Sequence, residues 1–305
     1  MQDSMYQYMK VGVVHFKAFP ECVNGTGPFE KTVSKLCEDD FFTAIEMGLI
    51  KDVQQRQEVR RLLDQSGLEV VYATQPTMFP NKLNLNHLDQ GERTKAIKAV
   101  FNCLREAYDL GATAVRIPAG KDPGPQHREE AKKLLIDSLS QILEKAKEFG
   151  NPMITLKIFD RSIDKESLIG PAPDARDIAE ALCPSYDRFA LLTDLSHFPL
   201  LGEEIEYTLT TLQKYVKAFH LGNCVFKDKL SPMYGDLQPR FGVPGGEVGL
   251  EMVSKYFRTL ADLKLIGPDK LPVMSAEVRP LLAGETSEII LANTKRMIRQ
   301  AWALA

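Results

Sequence analysis

Short apolar runs rich in β-branched residues recur along the chain, separated by longer stretches with helical spacing. The runs are VGVVHF (11–16), FTAIEMG (42–48), LEVVYA (68–73), TAVRIP (113–118), MITLKIF (153–159), FALLTDL (189–195), KAFHLG (217–222) and PVMSAEV (272–278). Most are continuously apolar, as strands are when both faces of a parallel sheet are covered. Between them, 91–110 carries Ile97, Val100, Phe101, Leu104 and Tyr108 on one helical face. The stretch 128–149 does the same through Leu134, Leu135, Leu139, Ile142 and Leu143, and Gly111 and Gly150 stand where these helices should stop. Eight alternations without a linker predict a single (β/α)8 barrel over residues 1–305. An open doubly wound sheet is the alternative, but no glycine-rich phosphate loop follows any run.

Composition changes this picture little. The 305 residues are 44% hydrophobic and 26% charged, with a net charge of −3. No basic field invites nucleic acid or anionic lipid, so neither is an expected partner. Five scattered cysteines without a C-x-x-C pair argue against disulfides or structural zinc and fit a reducing compartment. The N-terminal MQDSMYQYMK lacks the pattern of a signal peptide, and no apolar run is long enough to span a membrane. A cytoplasmic location is expected.

In a barrel, polar residues at strand ends converge on one rim whatever their separation in sequence. Those positions hold His15, Glu46, Arg116 (with Lys121 beyond), Lys157 and Asp160, Asp194 and His197, His220, and Glu277 with Arg279. A lone strand-end histidine is usually just hydrogen-bonded, and a strand-end acid often caps the next helix. Asp194, His220 and Glu277 stand out because each closes an apolar run on one of three successive strands. Together they offer the oxygen and imidazole ligands that Mn²⁺, Mg²⁺ or Zn²⁺ accept. Two long connections, 76–91 and 223–249, follow the third and seventh runs, and the second is rich in Pro and Gly. Loops of that size commonly cover or build a site.

The segments TLKIFDRSIDKESLIG, LLTDLSHFPLL, FHLGNC and YGDLQPRFGVPGGE resemble the xylose-isomerase-like TIM-barrel family. Within it they resemble the sugar isomerase/epimerase branch near the catalytic subunits of C-glycoside deglycosidases. The resemblance implies a divalent metal held by a Glu on strand five, an Asp on strand six, a His on strand seven and a Glu on strand eight. The last three match Asp194, His220 and Glu277. The strand-five Glu is replaced by Lys157, and Gln238 stands where relatives carry His.

The lysine leaves two arrangements open. Its ammonium, attracted to each carboxylate by about 4 kcal/mol at roughly 4 Å and an effective dielectric of about 20, takes the metal's electrostatic place. Alternatively it points away and leaves Asp194, His220 and Glu277 as a three-ligand metal site. Two functions follow. In one, the chain acts on a polyhydroxylated carbohydrate by isomerisation, epimerisation or elimination. Glu277 is then the base, His220 and Lys157 or a metal steady the oxyanion, and His15, Glu46, His197 and Arg279 contact substrate. In the other, it is a non-catalytic paralogue binding a sugar or a partner subunit. Abasic-site endonuclease chemistry would need more ligands than five histidines provide.

Overall fold

The computed structural model describes residue 1 and residues 3–305. Among these, eight parallel strands close into a barrel in chain order. They are β1 (Lys10–Val14), β2 (Ala44–Met47), β3 (Glu69–Ala73), β4 (Ala114–Pro118), β5 (Met153–Lys157), β6 (Phe189–Asp194), β7 (Val216–Gly222) and β8 (Val273–Glu277). An outer helix follows each strand: α1 (Phe29–Cys37), α2 (Val53–Ser66), α3 (Gln90–Asp109), α4 (Arg128–Ala146), α5 (Ala172–Leu182), α6 (Ile205–Leu212), α7 (Leu250–Asp262) and α8 (Ser287–Leu304). The ring of β/α units is thus a single (β/α)8 barrel, as the alternating pattern predicts. Asp52 and Asp89 accept hydrogen bonds from Gln55 and Glu92 backbone N–H groups, starting α2 and α3. Gly111 and Gly150 sit at φ 73° and 76°, closing the two helices read from their spacing. No helix among the described residues is long and apolar enough to cross a membrane.

The interior is layered, because alternate residues of each strand face the axis. At the base, Ala44, Val71, Ala114 and Val273 make an apolar plug. The next inward positions on those strands are Glu46, Ala73, Arg116 and Ser275, and one further step on β8 brings Glu277. Charge therefore begins halfway up the barrel. The main apolar core lies outside, between the strands and the helices.

Two departures from the expected strands decide what reaches the centre. β1 ends at Val14, and His15–Ala18 is already a helical turn, so His15 leaves the strand direction. On the far side, the β6–β7 pairing slips: Leu191 pairs with Val216 but Leu192 pairs with Ala218. The extra residue, Lys217, is exposed. This bulge sets His220 rather than Phe219 opposite Asp194. Phe219 packs outward against Tyr256 of α7 instead.

Candidate functional site

The ends of β5, β6, β7 and β8 bring Lys157, Asp194, His220 and Glu277 into one buried group. The pairings Lys157 with Leu192, Asp194 with His220, and Gly222 with Glu277 hold these side chains on the inner face. Possible metal-donor atoms of Asp194, His220 and Glu277 lie within 4.8 Å of one another. Lys157 Nζ lies 2.9 Å from Asp194 Oδ2, 2.5 Å from Glu277 Oε2 and 3.1 Å from His220 Nδ1. It also stands 4.8 Å from the centre of the Phe159 ring. Of the two arrangements left open for Lys157, the one in which it faces the carboxylates is present.

Electrostatics follow from this packing. Burial opposes the charged form of every member, yet the Asp194 and Glu277 carboxylates outweigh it and hold the Lys157 ammonium above its ordinary pKa. Conversely, Lys157 keeps both carboxyls well below the usual range despite their burial, with Lys17 and His220 assisting at Glu277. His220 directs Nε2 at Glu46 Oε2, 2.9 Å away, and Nδ1 at Glu277 Oε2, 2.7 Å away. Burial disfavours its cation, but Glu46, Asp194 and Glu277 push its pKa up to about 10. Glu46 rests in turn 3.6 Å from Arg116 Nε, and Arg116 donates to Thr155 Oγ1 at 3.0 Å. A chain of alternating charge thus runs from mid-barrel to the rim.

Asp194 Oδ1 accepts from the backbone N–H and hydroxyl of Ser196. The Gln238 amide donates to Ser196 Oγ and to Asp236. This close packing needs Gly222, where a Cβ would stand 2.0 Å from Gln238 Oε1. The 223–249 connection that carries Gln238 is latched at its base by buried Asn223, which bonds the backbone of Cys224, Arg240 and Val248.

At the mouth lies a pocket of about 250 Å³. Glu277, Lys17, Asp236, Lys165 and Arg279 supply its polar wall, and Phe16, Phe79 and Phe159 its apolar wall. A larger cleft of about 830 Å³ under the 76–91 connection adjoins it, with Phe79, Phe159 and Lys165 lining both. Glu277 Oε1 meets Lys17 Nζ at 3.1 Å, and Asp236 Oδ2 meets Lys165 Nζ at 3.0 Å.

Of the residues expected from sequence to contact substrate, Arg279 alone lines this pocket. Glu46 is sealed beneath His220. His197 lies behind Asp236, accepting from the Asp160 backbone N–H through Nδ1 and holding Nε2 3.4 Å from Asp236. Lys157 and His220, expected to be catalytic, lie behind Glu277 and do not line the pocket. Asp160 caps a turn through the N–H groups of Ile163, Asp164 and Lys165, and exposed Lys121 pairs with Glu166. Sequence reasoning passed over Lys17, Lys165 and Asp236; of these Lys165 and Asp236 carried a signal, in the TLKIFDRSIDKESLIG and YGDLQPRFGVPGGE segments.

His15 is turned away altogether, because the strand that was to aim it ends one residue earlier. It is stacked 5.6 Å from Phe29, with the tilted Phe19 ring at 5.3 Å and Nε2 on Thr32 Oγ1 at 2.8 Å. Burial lowers its pKa from the ordinary 6.5 to about 3. Between those values the unfolded chain binds a proton that the folded chain refuses, so this contribution to stability falls as pH drops from 6.5 toward 3. His15→Phe should remove that slope. Urea midpoints over this range should show the wild type losing on the order of 4 kcal/mol more than the variant. Parallel profiles would mean that His15 is not buried neutral.

The fit of a resident divalent ion turns on Lys157. Such an ion binds its ligands at about 2.0–2.6 Å and would coincide with an ammonium already in contact with all three. His220 Nδ1, 2.7 Å from Glu277 Oε2 and 3.1 Å from Lys157 Nζ, is engaged as well while the lysine is in place. The residues in this arrangement do not fit a resident dication.

The chain matches known proteins at two levels. A search of curated protein sequences gives no match. Among solved structures, the IOLI protein, solved with a zinc atom, superposes with a TM-score of 0.71 at 16% identity, covering 96% of this chain and 98% of the other. A D-tagatose 3-epimerase-like protein gives 0.70 at 16% identity, with 96% and 99% covered. D-psicose 3-epimerase from Clostridium cellulolyticum H10, solved with D-tagatose, gives 0.65 at 15% identity, with 97% and 96% covered. At these identities the likeness is one of fold. The family model described as xylose isomerase-like TIM barrel matches residues 37–268, most of the eight-strand ring, and the chain belongs to that family.

Proposed function

We propose that this protein binds a small polyhydroxylated carbohydrate at the barrel mouth and moves a proton on it through Glu277. The observation that carries this reading is the position of Glu277. It alone of the buried cluster lines the pocket, where Lys17, Lys165, Asp236 and Arg279 offer donors and acceptors suited to hydroxyl groups. Glu277 Oε2 is occupied by Lys157 and His220, while Oε1 has only Lys17. Lys17 moving from Oε1 to a substrate carbonyl oxygen would do two things. It would steady the developing oxyanion, and it would strip one cation from Glu277, making that carboxylate a stronger base. A proton leaving the hydroxyl-bearing carbon beside the carbonyl would pass to Glu277, giving an enediolate. It would return to the former carbonyl carbon while the hydroxyl proton passes to the oxyanion, so that carbonyl and hydroxyl exchange places. Lys157 and His220 hold the carboxylate in place and touch no substrate.

Incubation with a panel of ketoses and aldoses in D₂O tests this, because proton transfer at carbon brings solvent deuterium into the sugar. Glu277→Gln should slow incorporation by about 100-fold or more. A non-catalytic sugar-binding role is the second reading, favoured by a Glu277 whose two oxygens are both paired. Calorimetric binding without deuterium uptake by any sugar of the panel would select it over the first.

A further inference from the structure

We propose that the Lys157 ammonium stands permanently where a divalent cation would sit among Asp194, His220 and Glu277, so that the protein works without a metal, and that removing this side chain uncovers a divalent site. The donor set is otherwise complete. The ligand atoms are within 4.8 Å of one another, and Glu46 bonds His220 Nε2 at 2.9 Å, as a carboxylate does when it orients a metal-bound imidazole. Only the centre is taken. Lys157 Nζ lies 2.9 Å and 2.5 Å from the two carboxylates. The lysine comes from the last residue of β5, so its reach is fixed by the strand, and its fully buried stem cannot swing to solvent without opening the barrel mouth.

An ammonium supplies one positive charge with hydrogen-bond donors, where a dication supplies two charges with coordination bonds. Both offset the repulsion between the two carboxylates, the ammonium with half the charge, but the ammonium leaves no open coordination position for a substrate oxygen. Any polarisation of substrate then falls to side chains that reach the pocket.

The test uses full-length protein and Mn²⁺ alone, independent of any sugar, so its outcome is separate from that of the proposed activity. Chelator-dialysed wild type, Lys157→Glu and Lys157→Met are titrated by calorimetry, and bound Mn²⁺ is counted by electron paramagnetic resonance. The wild type should give no stoichiometric binding. Lys157→Glu should bind one ion, tighter than wild type by roughly 100-fold or more, with Lys157→Met between them. Stoichiometric Mn²⁺ on the wild type, or variants binding no better than it, would overturn the proposal. Should neither variant fold, the metal content of the wild type, purified without chelator, decides by the same criterion.

Discussion

Lys157→Met should cost this protein about 3–5 kcal/mol of stability near neutral pH, among the largest effects expected of any single substitution here. The change preserves most of the stem volume and removes only the charge. Asp194 and Glu277 are then left buried beside each other with His220 and Lys17 as their remaining cationic neighbours. In the wild type both carboxyls are held below their ordinary pKa, so their contribution is present above the unfolded value and is lost as pH falls toward the folded one. Without the ammonium the sign reverses if burial dominates: the carboxyls rise, and acidification from neutral pH becomes stabilising until both are neutral. In a His15→Phe background, which removes the histidine slope, denaturant midpoints should therefore hold for wild type down to about pH 5 and fall below it, while those of the variant hold or climb over the same descent. A double variant, Lys157→Met with Asp194→Asn, should recover part of the loss at neutral pH. A loss below about 1 kcal/mol would mean that the ammonium is as weakly coupled as a surface ion pair.

Deleting Lys217 should be at least as damaging, although the residue is exposed. The bulge it forms between β6 and β7 keeps His220 opposite Asp194. Removing one residue from a strand turns every following side chain to the other face. Phe219 would enter the charged centre, and His220 would be driven against Tyr256 and the apolar layer under α7. Loss of cooperative unfolding, or of soluble protein, is the expected result. Lys217→Ala keeps the register and should stay within about 0.5 kcal/mol of wild type. A deletion variant as stable as that substitution would show the bulge to be dispensable.

The comparison of these two lysines explains what could be read in advance. Asp194, His220 and Glu277 each close an apolar run, and a barrel turns strand ends into one location, so their grouping was legible once the alternation of strands and helices was recognised. Lys157 instead sits inside a run that continues through Ile158 and Phe159, and its facing was left open. Lys217 was not legible as a bulge, since nothing in VKAFHLG distinguishes a slipped strand from a regular one. Height along the barrel axis was equally hidden. Glu46 and Glu277 both follow apolar residues, but strand tilt places the first under His220 and the second at the pocket. His15 misled for a local reason: VGVVHF reads as one uninterrupted strand, and the turn that begins at His15 carries no glycine or proline to announce it. Lys17, Lys165 and Asp236 lie on connections whose path depends on the barrel that they decorate.

The charge at the end of β5 has an evolutionary side. Lysine and glutamate codons differ by a single base, so the ammonium found at this position and the carboxylate implied by the family resemblance are adjacent in mutational space. If the ammonium does the metal's work as proposed, crossing from the carboxylate to the ammonium would free a lineage from metal supply at once, because the cation is then encoded in the gene. Crossing back leaves the new carboxylate crowded against those of Asp194 and Glu277 until an ion arrives. Passage in the two directions is therefore unequal, and scarcity of metal in the habitat would act as a ratchet holding the lysine in place.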